Sequence, residues 1–139
     1  MWVRFLPGTP MEITKDNLTQ ILKVVARRDT SANPEGWAEE SPLWGHCAVA
    51  ALVAQDYFGG KLMRGSLEQV SKYSHARSHY WNRLPSGNEI DFTAGQYPDI
   101  TFRELYAEER SREHVLSHPD TVRRYKLLSK RVKKYIGAR

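Results

Sequence analysis

The alternation of apolar and polar positions divides the chain into a short series of elements. In 13–30, Leu18, Ile21, Leu22 and Val25 recur at helical spacing behind Thr14, a natural N-cap, which predicts an amphipathic helix. The next stretch, 30–42 (TSANPEGWAEESP), is polar and contains two prolines and a glycine, so it reads as a loop. It leads into LWGHCAVAALVAQDYFGG, where 48–57 is apolar nearly all round. That pattern predicts a buried helix, and Gly59-Gly60 supplies its stop.

The segment 75–93 (HARSHYWNRLPSGNEIDFT) predicts a β-hairpin. Leu84-Pro85-Ser86-Gly87 suits a type I turn, with Gly87 as the left-handed residue of a three-residue loop. This register pairs Leu84 with Asn88, Trp81 with Asp91 and His79 with Thr93. It puts His79 and Asp91 on one face and Tyr80, Leu84, Ile90 and Phe92 on the other. Thr101 and Glu104 form a possible capping box for a helix over 102–112. A last helix is expected from about Pro119 to Ile136, with Val122, Tyr125, Leu128, Val132 and Tyr135 as its apolar stripe. The order of helices and strands argues for a single α+β domain over 1–139.

Composition narrows the class. A chain of 139 residues with 40% hydrophobic and 27% charged residues can build one globular core. It has no run near the roughly 20 apolar residues of a membrane span, and its first ten residues lack the apolar core of a signal peptide. One cysteine excludes an internal disulfide and fits a reducing cytoplasm. The expected location is therefore cytoplasmic, with no membrane partner. The net charge is +5, but eight basic residues and no acid lie in 123–139; the rest of the chain has 13 basic and 16 acidic residues, a balance of −3. The basicity belongs to the last helix. Charge of this kind is most often a solvated surface, and no nucleic-acid-binding signature accompanies it.

The candidate chemistry centres on Cys47. It stands at the expected N-terminus of the most apolar helix, where free N–H groups and the helix dipole favour a thiolate and can hold an oxyanion. His79 is the best-placed base, and Asp91 can fix its tautomer. Each residue also has a plainer reading. A lone cysteine on an apolar helix is usually inert packing, a single histidine is often structural, and Asp91 could pair with Arg83 or cap a turn. Trp37, Trp44 and Trp81 are the candidate substrate-binding side chains, although such aromatics are commonly core or pocket wall. Trp44 could offer its indole N–H to an oxyanion, and loop 30–42 with Trp37 could wall the site. His46, Cys47, His75, His79 and Asp91 lack the spacing of a metal motif, so neither metal nor other cofactor is expected.

SPLWGHCAVAALV followed by SHYWNRLPSGNEIDFT resembles the Cys-helix and His-Asp hairpin of papain-like and transglutaminase-like proteins. A closer resemblance is to the small bacterial YunG-like family, from the Trp-Gly before the cysteine through the hairpin and into VRRYKLLSKRV. The wider resemblance covers about residues 41–93. It implies Cys47 as nucleophile, His79 as general base and acid, and Asp91 as its orienter, on a small antiparallel sheet with flanking helices. Two positions depart from the wider pattern: His46 stands where Gln is expected, and Ala48 where Trp often follows the cysteine. The implied activity is hydrolysis or acyl transfer at an amide, ester or γ-glutamyl carbonyl of an unidentified peptide or small molecule. The competing expectation is a non-catalytic interaction protein that docks an anionic partner through the basic helix.

Overall fold

The structure, a computed structural model, describes residues 11–67, 78–96, 102 and 105–137. Among them it has four α-helices, α1 (Leu18–Val25), α2 (Cys47–Phe58), α3 (Arg112–Val115) and α4 (Pro119–Gly137). The strands are β1 (Lys61–Ser66), β2 (Ser78–Arg83), β3 (Glu89–Ile90) and β4 (Ala107–Arg110). They form one antiparallel sheet in the order β3-β2-β1-β4.

The α1 start is displaced from the expected cap. Thr14 and Asn17 exchange side-chain-to-backbone hydrogen bonds of 2.8 and 3.2 Å, a reciprocal box that fixes one turn before Leu18. Its apolar face, Leu18, Ile21, Leu22 and Val25, is buried as the spacing requires. The α2 helix is buried from Val49 to Ala54 and ends at Gly59, whose φ of 73° only glycine adopts cheaply. It is the central element. One side packs with α1 and α4 through residues that include Val53, Leu128 and Val132; the other meets the sheet through Ala51, Leu52 and Leu62. The Asn82 amide donates 2.9 Å to the carbonyl of Ala51, pinning sheet to helix.

The hairpin has the register its turn residues demand. Leu84 N–H donates to Asn88, Gly87 N–H donates to Leu84, and Gly87 has φ 93°. Asn82 pairs with Ile90 and Arg83 with Glu89. The ladder stops there. Asp91 lies in the turn that follows, so the expected strand pairs of Trp81 with Asp91 and His79 with Thr93 do not form.

Two other expectations are corrected. The helix expected over 102–112 is replaced in its described part by β4, which pairs with β1 over 107–110, and by the short α3. Ala-Glu-Glu-Arg prefers a helix locally, but the free edge of β1 overrides that preference. The capping box at Thr101 and Glu104 lies outside the described residues. The buried stripe of α4 is Thr121, Arg124, Leu128 and Val132; Val122 is only half-buried. Arg124 is 5% exposed because Asp120 Oδ2 accepts from its Nε at 2.9 Å.

Arg123, Arg124 and Arg131 of α4 reach a 3-10 turn at Arg28–Thr30. Arg131 forms a two-pronged ion pair with Asp29, at 2.8 and 2.7 Å. Arg123 and Arg124 donate to the carbonyls of Asp29 and Thr30. By contrast Lys126, Lys130, Lys133 and Lys134 are exposed.

Candidate active site

Cys47 is the first residue of α2 and is half-exposed. The N–H groups of a first helical turn have no partners within the helix and point outward along its axis. The preceding segment is held rigidly. His46 is fully buried, with Nδ1 3.0 Å from the Trp44 carbonyl and Nε2 2.7 Å from Thr30 Oγ1. The carbonyl can only accept, so Nδ1 carries the proton and Nε2 accepts from the hydroxyl. Burial drives the His46 pKa from 6.5 to about 4, and the charge of Arg124 adds to the shift. The ring is neutral and structural.

Gly45 has φ 77°, and a Cβ there would sit 2.2 Å from Ser31 Oγ. Ser31 in turn donates 2.6 Å to the Trp44 carbonyl. Ala32 N–H donates to Gly45, and the Trp37 indole donates 2.9 Å to Pro42. Loop 30–42 is thereby folded against the residues that lead into Cys47.

His79 comes from β2. Its Nε2 donates to Asp91 Oδ2 at 2.6 Å, and both side chains are almost wholly buried. Burial pulls the His79 pKa down, but hydrogen bonds to Asp91 and Cys47, with the negative charge of both, raise it from 6.5 to about 10. The ring is held in its protonated form between Asp91 and Cys47. Since Asp91 takes Nε2, Nδ1 is the nitrogen left to serve the thiol. Asp91 is itself oriented: its Oδ1 accepts from Thr93 N–H at 3.0 Å and from the Thr93 hydroxyl at 3.2 Å. The plainer pairing with Arg83 does not occur; Arg83 lies 3.5 Å from Glu89.

The ring of His79 stacks on Trp81, with centroids 6.1 Å apart. Trp81 is 1% exposed, and its indole donates 2.7 Å to Glu89. It lies behind the histidine. Gly65 makes this possible, because a Cβ there would come within 2.8 Å of Trp81 and Leu105. Trp37 is 8% exposed beneath Arg28. Trp44 is half-buried and lines a cavity with Pro42, Leu43 and the turn Thr93 to Gln96.

The structure therefore brings Cys47, His79 and Asp91 together. Trp44 stands three residues before the thiol, Trp81 lies under His79, and Trp37 is set back in the loop. His75 lies outside the described residues. No group of three His, Cys, Asp or Glu side chains among those described could hold a metal ion, and no described helix is long and apolar enough to cross a membrane. Sequence reasoning missed Gln96, whose Oε1 accepts from Gly45 N–H at 3.0 Å and joins the Cys47 segment to the end of the Asp91 turn. Nothing in the local pattern marks that contact, which spans 51 positions.

Fold and site define an α+β protein that sets a thiol, an imidazolium and a carboxylate in a row. The chain belongs to the YunG protein family, whose pattern matches residues 14–137 and so includes all three. The YunG protein of Bacillus subtilis (strain 168) is 33% identical over 82 residues, which is 59% of this chain and 62% of that protein. The match thus spans less than two thirds of the relative. No solved structure matches.

Proposed function

We propose that the protein is a thiol-dependent hydrolase or acyl transferase of papain-like or transglutaminase-like type, acting on an amide, ester or γ-glutamyl carbonyl. The observation that carries this reading is the buried His79 ring, bonded to Asp91 at 2.6 Å, with its pKa raised by both Asp91 and Cys47. The Cys47 thiolate attacks the carbonyl carbon, and the first-turn N–H groups of α2 receive the oxyanion. As the tetrahedral species collapses, the His79 proton passes to the departing amine or alkoxide, leaving a thioester on Cys47. Water, or an acceptor amine, then attacks the thioester while His79 takes its proton, and the thiolate is released.

The test is trapping. Wild-type protein incubated with activated esters and γ-glutamyl amides is expected to gain the mass of one acyl group on Cys47. His79→Ala should slow this on the order of 100-fold or more. Equal acylation of wild type and variant would remove the triad from the account.

A second reading rests on the four exposed lysines of α4: the same frame would serve as a docking protein for an anionic partner, without turnover. Salt-sensitive binding to a polyanion in a protein whose thiol is inert would favour it.

A further inference from the structure

A cavity of about 230 Å³ lies between the loop that leads into Cys47 and the turn that follows Asp91; Cys47, His79 and Asp91 themselves do not line it. Its walls include Pro42, Leu43 and Trp44 on one side and the turn Thr93, Ala94, Gly95 and Gln96 on the other. Both walls lead to the chemistry: Trp44 precedes Cys47 by three residues, and the Thr93 hydroxyl holds Asp91. The volume is below the roughly 300–1,000 Å³ of sites for drug-sized ligands, so it suits a group the size of one amino acid.

Its polar equipment is of three kinds. Lys23 and Glu40, opposite in charge and both exposed, line it, and no ion pair joins them among the described residues. Gln96 also lines it. The Oε1 of Gln96 is committed to Gly45 N–H, which fixes the orientation of the amide. Its Nε2 is buried and has no hydrogen-bond partner. A buried donor left unmatched costs free energy that a ligand acceptor would recover.

We infer that this cavity is the recognition pocket for a zwitterionic amino-acid head group on the acyl donor. The ligand's α-carboxylate is received by Gln96 Nε2–H and the Lys23 ammonium, and its α-ammonium by Glu40. A γ-glutamyl amide has such a head group three carbons from its scissile carbonyl. Among the carbonyls proposed above, this selects the γ-glutamyl class over simple esters and internal peptide bonds. The inference rests on the acyl-transfer reading for its meaning, but the binding it asserts can be measured without turnover.

The experiment uses the full chain with Cys47→Ala, titrated calorimetrically with L-γ-glutamyl methylamide. Two analogues run in parallel: glutaric acid monomethylamide, which lacks the ammonium, and 4-amino-N-methylbutyramide, which lacks the carboxylate. Saturable binding of the parent is expected, with each analogue weaker by about tenfold. Added to this background, Lys23→Ala should weaken the parent and the glutaric compound but not the aminobutyramide. Glu40→Ala should spare only the glutaric compound. Gln96→Glu keeps an acceptor for Gly45 and replaces the free donor with an acceptor, so it should abolish binding of both carboxylates while binding of the aminobutyramide, which reports the folded pocket, is kept. Equal affinity for all three compounds, or no saturable binding of the parent, overturns the inference. Charge-dependent binding to Cys47→Ala with no acylation of the wild type would uphold the pocket and defeat the proposed activity. Acylation of the wild type that ignores both charges would do the reverse.

Discussion

Asp91 binds His79 through Nε2, so the nitrogen nearest the backbone, Nδ1, is the one left to the thiol. Against the cost of burial, the carboxylate raises the pKa of the ring together with Cys47, and it occupies the Nε2 edge. Thr93 bonds the same carboxylate through its N–H and its hydroxyl, so the turn holds the acid while the acid holds the ring. Asp91→Asn should keep the shape and lose the charge. The rate of Cys47 alkylation by iodoacetamide is expected to fall roughly tenfold or more at neutral pH. An unchanged rate would show that the carboxylate does not act on the thiol.

The two buried histidines predict opposite limbs in the pH dependence of stability. The folded His79 pKa is raised from 6.5 to about 10, so its contribution is complete below pH 6.5 and is lost as pH rises toward 10. The folded His46 pKa is lowered from 6.5 to about 4, so stability falls as pH drops from 6.5 through 4. Denaturant unfolding followed across this range should show both limbs. His79→Gln should flatten the alkaline limb and His46→Gln the acid one; a swap of these effects would contradict the assignment.

Gly45 is expected to tolerate no side chain. Its φ of 77° and the 2.2 Å approach to Ser31 Oγ both oppose a Cβ. Gly45→Ala should cost on the order of 1–3 kcal/mol and also slow alkylation of Cys47, since the strain falls two residues before it. Gly87→Ala provides the control. It has a similar φ of 93° but open space around it and lies in the hairpin turn, so it should lower stability without that kinetic effect.

The two sides of α4 should respond differently. Leu128→Ala is expected to cost about 2–5 kcal/mol, as for other fully buried leucines. Replacing Lys126, Lys130, Lys133 and Lys134 by serine should change the unfolding midpoint little, because exposed charges contribute little. Tight binding of DNA or RNA that weakens steeply with salt, and vanishes in the lysine variant, would instead give this face a function.

The hairpin was legible because Pro85, Ser86 and Gly87 specify the turn, and the turn specifies the register. The α2 boundaries were legible because an apolar run is closed by two glycines. β1 was not, since Lys-Leu-Met-Arg-Gly-Ser has neither alternation nor β-branched residues; its strand conformation comes from β2 and β4 on either side. The same tertiary pairing turned the helix-forming Ala-Glu-Glu-Arg into β4. Within the site, the helix start marked Cys47 and the hairpin marked His79 and Asp91, but Asp91 meets His79 from the turn after β3 and not through the expected strand register. The contact of Gln96 with Gly45 had no local signal. Nor did the burial of Arg124, a charge that a stripe of apolar positions passes over.

The salt bridge between Asp29 and Arg131 joins residues 102 positions apart, and Leu128 and Val132 close the core over α1 and α2. Synthesis runs from the N-terminus, so Cys47, His79 and Asp91 all leave the ribosome before the helix that clamps the nucleophile's loop. A nascent chain halted before Pro119 thus holds every reactive side chain and lacks the ion pair that ties α4 to Asp29.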